Sequence, residues 1–118
     1  MKNNFKDVSV RTREWLEDTG NLTRFTLDKR LIELPIGEKW KCNILEYSRA
    51  FPRRQYDTTV RVKFQREFWN WLEQKNVKAS IKLIKTEFRN NRNTVFIKIH
   101  ESKESVEEVK FQISLGFL

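Results

Sequence analysis

A chain of 118 residues with 38% hydrophobic and 13% aromatic content is sized for one domain with a real core, and three Gly and two Pro leave no room for long linkers. One Cys excludes an internal disulfide, and one His beside it excludes the familiar zinc ligand sets. The formal net charge of +8 directs attention to anionic partners, either nucleic acid or an acidic protein surface.

The first predicted element is a helix over Val10–Thr19, with Trp15 and Leu16 inward and Gly20-Asn21 as its stop. Leu22–Leu27 and Leu31–Leu34, separated by Asp28-Lys29-Arg30, read as a short hairpin that Pro35 and Gly37 end. Lys39–Tyr47 reads as a strand, because Trp40, Cys42 and Ile44 alternate with Lys39, Lys41 and Asn43. Ser48–Gln55 is expected to be a loop, since Pro52 opposes regular structure.

Tyr56–Phe64 shows the clearest period of two, with Tyr56, Thr58, Val60, Val62 and Phe64 on one face. Gln65–Asn76 is a predicted helix whose Phe68, Trp71 and Leu72 share a face. Val77–Phe88 and Thr94–His100 are predicted strands joined by a turn at Asn90-Asn91-Arg92-Asn93. In the tail, Ser105 with Glu108 fits a helix cap, but Val109, Phe111, Ile113, Leu115 and Phe117 alternate strictly, which favours a strand. The expected fold is α+β over residues 1–118 as a single domain, an antiparallel-rich sheet with two main helices packed on one face.

No glycine loop able to cradle a phosphate can be written from Gly20, Gly37 and Gly116, and no cofactor is expected. Cys42 reads as a buried thiol and His100 as a surface or edge-strand histidine. The lone Cys, the charged first ten residues and the lack of any apolar run near ~20 residues lead to the expectation of a cytoplasmic protein with no membrane partner.

Charge distribution carries the strongest functional hint. Residues 61–100 hold ten Lys/Arg against three Asp/Glu, whereas residues 101–118 hold two against four. Alternation places Arg61, Lys63, Lys78, Lys82 and Lys98 on the outward face of adjacent strands, with Lys85 joining that face only through a bulge or twist and Arg89 and Arg92 at a hairpin tip. Phe96 falls among them, where an aromatic between cations suits base stacking, unless a helix covers that face. Arg49, Arg53 and Arg54 form a second basic group whose guanidinium forks suit phosphate. The same alternation is what any solvated sheet face shows, and Lys there also discourages edge pairing.

From Thr58 onward the order strand–helix–strand–strand–strand resembles RNA-recognition-type ferredoxin folds, and Asn93–Ile99 is similar to that family's third-strand motif. The resemblance implies single-stranded RNA stacked on the sheet; the family's glycines are absent here, and Arg61 stands where the first strand would carry an aromatic. Trp15–Arg24 is locally similar to a segment of chorismate lyases over ten residues, and no activity is carried over.

Three functions follow as expectations. The first is nucleic-acid binding through the phosphate backbone. The second is a protein-interaction module, an inhibitor or accessory subunit, with Trp69, Phe51 and Phe117 as exposed anchors. The third is a metal-independent ribonuclease using Arg53, Arg54 and a flanking Tyr47 or Tyr56.

Overall fold

Strand β1 (Lys6–Thr12) opens the chain, with Val8, Val10 and Thr12 buried on one side. A computed structural model describes residues 2–54 and 57–118, without the side chains of Lys39, Arg53, Arg54 and Asp57. Thr12 ends β1 and caps helix α1 (Arg13–Asp18), its Oγ1 accepting from the Trp15 amide at 3.2 Å. Gly20, at φ +75°, turns the chain directly into helix α2 (Asn21–Leu27).

The remaining elements are β2 (Leu31–Gly37), a short 3-10 turn at Lys39–Lys41, β3 (Leu45–Arg54), β4 (Asp57–Phe64), α3 (Arg66–Gln74), β5 (Lys78–Glu87), β6 (Arg92–Glu101) and α4 (Val106–Phe117). The six strands form one sheet in the order β2-β6-β5-β1-β4-β3. Every neighbouring pair is antiparallel except β1–β5, so the sheet is mixed.

The helices divide between both faces. Phe68 and Leu72 of α3, with Val109 and Ile113 of α4, close the main core over Val60, Val62, Ile84 and Ile97. On the opposite face Leu16 of α1 packs with Leu83 and Phe96, and Leu22 and Phe25 of α2 lie against them. The expectation of two main helices on one face is therefore corrected: four helices cover both faces, because Leu83 and Phe96 make an apolar patch that water would otherwise wet.

Several element assignments change for identifiable reasons. The hairpin expected over Leu22–Leu34 is half helix, since Leu22 and Phe25 stand at i, i+3 and meet Phe96, with the Phe25 and Phe96 ring centroids 5.4 Å apart. The loop expected over Ser48–Gln55 is strand as far as Arg54, and Gln55 lies outside the described residues. Pro52 is tolerated because β3 is an edge strand, and Pro35 sits in β2, the strand at the other edge. Both edges are thus blunted against pairing with another chain.

The tail is helix and not strand. Ser105 Oγ accepts from the Glu108 amide at 3.1 Å, and the apparent alternation resolves into two helical rows. Val109 and Ile113 face the core, with Phe117 5.0 Å from the Phe68 ring, while Phe111 and Leu115 face solvent. A cap and a real inward row outweigh a coincidental period of two.

One irregularity shapes the surface. The register between β5 and β6 slips between Ile81 and Leu83, leaving Lys82 as an extra residue. On its other side β5 pairs with β1 only through Val10↔Ile84, Arg11↔Lys85 and Thr12↔Thr86. Before the slip the two strands part, and a cleft of about 230 Å³ opens between the segment Lys2–Lys6 and Ala79–Ile81.

Phe96 is 1% exposed, so Phe96→Ala is expected to destabilise the fold by about 3–5 kcal/mol, as large core aromatics do. A urea unfolding curve checks this; a loss under about 1 kcal/mol would be inconsistent with a core role.

Candidate nucleic-acid interface

The uncovered part of the second face is built by alternation along β1, β3 and β4. Asp7 pairs in register with Arg61 and Arg61 with Arg49, while Ser9 pairs with Thr59 and Thr59 with Phe51. The result is a basic-aromatic group on the β3 edge. The Arg49 guanidinium lies 5.2 Å and that of Arg61 5.5 Å from the Phe51 ring centroid. Lys63 sits over the Phe5 ring at 4.5 Å, and Arg11 over Trp15 at 4.9 Å.

Of the nine expected cations whose side chains are described, five carry a carboxylate partner. Arg61 Nε donates to Asp7 at 3.1 Å, Lys78 pairs with Glu101 at 3.2 Å, and Lys63 stands 3.9 Å from Glu46. Lys98 donates to Asp28, and Lys85 donates to Glu33 at 2.9 Å with only 12% of its side chain exposed. Lys85 is thereby corrected from a surface contact to a half-buried tie between β5 and β2, enclosed beside the α1–α2 cover.

Phe96 is likewise corrected. It points to the second face, as alternation requires, but lies beneath α1 and α2 and cannot stack on a base. The platform implied by the RNA-recognition resemblance is therefore closed at its third-strand aromatic. Arg89 and Arg92 are exposed at the β5–β6 tip, and Asn93 beside them is buried, donating to the Gly37 carbonyl at 2.8 Å.

Lys82, exposed at the slip in β5, has no ion-pair partner among the described residues. Around it the fold gathers residues that sequence reasoning did not select. Ser80 Oγ and His100 Nε2 lie 2.7 Å apart, and Arg30 Nη1 donates to the His100 carbonyl at 3.1 Å. Desolvation, followed by the charges of Lys82, Lys98, Lys6 and Arg30, holds His100 below the ordinary imidazole value. Desolvation and then Lys82 push the Lys6 amine down in the same way. The missed signal was the alternation of Val8 and Val10, which marks β1 as a strand and puts Lys6 at its start.

The residues expected to support RNA cleavage are described only in part. Tyr56 and the side chains of Arg53 and Arg54 lie outside the described residues. Tyr47 faces the main core, where its hydroxyl is buried without a partner and is held well above the usual phenol range by desolvation and then by Cys42. Among the described residues no group of three or more His, Cys, Asp or Glu is placed to hold a metal ion, and no helix is long and apolar enough to cross a membrane.

No family model matches the chain, and neither a curated protein nor a solved structure is detectably similar to it. The class it defines is a six-stranded mixed α+β sheet covered by helices on both faces.

The lowered value of His100 fixes a sign. The folded chain holds fewer protons than the unfolded chain between the lowered value and the ordinary one near about 6.5. Stability contributed by the neutral imidazole is thus present above about pH 6.5 and declines as pH falls through that window. Melting temperature is expected to drop between about pH 7.5 and about pH 5.5, and His100→Gln to flatten the drop. An equal drop in that variant would assign it to other groups.

Proposed function

We propose that the chain binds single-stranded nucleic acid, RNA or DNA, across the uncovered half of the second face. The observation that carries this reading is the Arg49–Phe51–Arg61 group, two guanidiniums flanking one aromatic ring on an open sheet edge. A ring between cations offers a stacking surface for a base and donors for the phosphates on either side of it. Phe5 with Lys63, and Trp15 with Arg11, repeat the pairing along the face. The net charge of +8 adds a long-range attraction that brings a polyanion to that face.

The ion pairs temper the contribution of Arg61 and Lys63, since a phosphate must compete with Asp7 and Glu46. These pairs are solvent-exposed and worth little, so exchanging a carboxylate for a phosphate costs little. Affinity on this reading comes from counterion release and stacking, not from base-edge recognition.

A second reading, a protein-interaction module, draws on the outer row of α4. Phe111 is 57% exposed, Leu115 72% and Leu118 48%, an apolar stripe at helical spacing. The anchors expected for this role move accordingly: Trp69 stacks on Phe64 and Phe117 packs on Phe68 and Trp71, while Phe51 lies between arginines.

Fluorescence anisotropy with a labelled single-stranded oligonucleotide tests the first reading. Binding is expected at low salt with log K falling linearly in log salt, and Arg49→Ala with Arg61→Ala is expected to reduce the slope by about 1.4, at roughly 0.7 per phosphate contact. Phe111→Ser with Leu115→Ser is expected to leave it unchanged. No binding of single or double strands at low salt would end the nucleic-acid reading.

A further inference from the structure

We infer that the cleft where β1 and β5 part is a binding site for a phosphate group. The site stands on the composition of its walls. Lys2, Lys6 and Lys63 line the cleft together with Asn3, Asn4 and Ser80, and among the described residues no carboxylate does. Its floor is apolar, formed in part by Phe64, Trp69 and Ile81, so charges at its mouth are less screened than on an open surface. Lys63 also stands over the Phe5 ring and 3.9 Å from Glu46, so the uncompensated charge along this cleft of about 230 Å³ rests on Lys2 and Lys6, a surplus that an anion would relieve.

The backbone explains why the space exists. The parallel β1–β5 ladder begins only at Val10↔Ile84, just past the extra residue at Lys82 in the β5–β6 register, and the first half of β1 has no pairing with β5 among the described residues. The same irregularity sets Lys82 within electrostatic range of both Lys6 and His100. Ser80 links the cleft to the histidine, since it lines the cleft and its hydroxyl lies 2.7 Å from His100 Nε2.

The charges around His100 are the following. Lys82 belongs to β5, Lys98 to β6, Lys6 to β1, and Arg30 precedes β2. Asp28 is engaged by Lys98, and Glu101 by Lys78. On the side away from the cleft, Glu101, Glu104 and Glu107 line a separate hollow with His100. A phosphate on the cleft side adds negative charge where the nearest groups are cationic, which raises the affinity of the imidazole for its proton.

A phosphate is favoured over a carboxylate because its three or four acceptor oxygens match the several separate donors: the lysine ammoniums, the Ser80 hydroxyl and the two Asn amides. The group could arrive free, as the terminal phosphate of a nucleic acid or as a backbone phosphodiester, and the inference does not depend on the edge-strand stacking proposed above.

His100 is the one histidine of the chain, so its imidazole signals in a proton–carbon NMR spectrum need no assignment. Titrating the full chain with inorganic phosphate is expected to move those signals and raise the His100 midpoint. Lys6→Ala is expected to weaken phosphate binding about tenfold, the loss typical of one charge-assisted contact, and Lys82→Ala, which acts on the cleft from outside its lining, to weaken it by less. Lys110→Ala on α4, away from the cleft, controls for general charge loss and is expected to bind as the parent does. Parallel titrations with 5′-phosphorylated and 5′-hydroxyl oligonucleotides separate the sources: a response to the first alone identifies a terminal phosphate, and a response to both a backbone phosphate. A His100 signal unmoved by any of the three overturns the inference, as does a Lys110→Ala loss equal to that of Lys82→Ala. A response to inorganic phosphate with no oligonucleotide binding would retain the cleft as a phosphate site and remove the proposed function alone.

Discussion

The two halves of the sheet are joined by a parallel seam only three residues long on each strand, Val10–Thr12 against Ile84–Thr86. On one side of it stand β2, β6 and β5, and on the other β1, β4 and β3, each set tied internally by antiparallel ladders. Such a seam supplies few backbone hydrogen bonds, so side-chain packing must hold the halves together. Phe68 and Leu72 of α3 do this from beneath, in a core that contains Val8 and Val60 from one half and Ile81 and Ile97 from the other. Because α3 links β4 to β5 in sequence, the element that bridges the seam is also one of the covalent crossovers between halves.

What was legible in the sequence follows from where side chains face one medium on each side. The strand ending at Phe64, the helix with Phe68 and Leu72 and the hairpin around Asn91 could be placed because their buried and wet positions separate cleanly. β1, β3 and α4 could not, each for a reason of its own. β1 is central and short, with Val8 and Val10 as its only buried aliphatic side chains, and its end merges into α1 without a loop. β3 carries a proline that argues against regular structure until its edge position is known. α4 has apolar residues on two sides, so the periods of two and of 3.6 compete within it.

The candidate site was legible in composition and not in arrangement. A band of lysines on alternating strand positions was visible, and Lys82 stands exposed as expected. Their partners were not visible, because Asp7, Asp28, Glu33 and Glu101 come from distant parts of the chain. Pairing by tertiary structure therefore turns much of the basic band into local neutrality. The surplus is left around the slip at Lys82 and at the edge strand, two places that no count of charge along the sequence singles out.

The outer row of α4 leaves Phe111, Leu115 and Leu118 in contact with water on a molecule that carries eight excess positive charges. Colloidal behaviour then depends on two ranges of force. Repulsion between like-charged copies acts over about 10 Å at moderate ionic strength, whereas apolar attraction acts only at contact. Salt shortens the first without weakening the second, so the same ions that would strip a polyanion from the basic face also let these stripes approach one another. If the proposed polyanion binding holds, solubility and occupancy of that ligand are coupled through the charge of the chain, although the residues responsible lie on different elements.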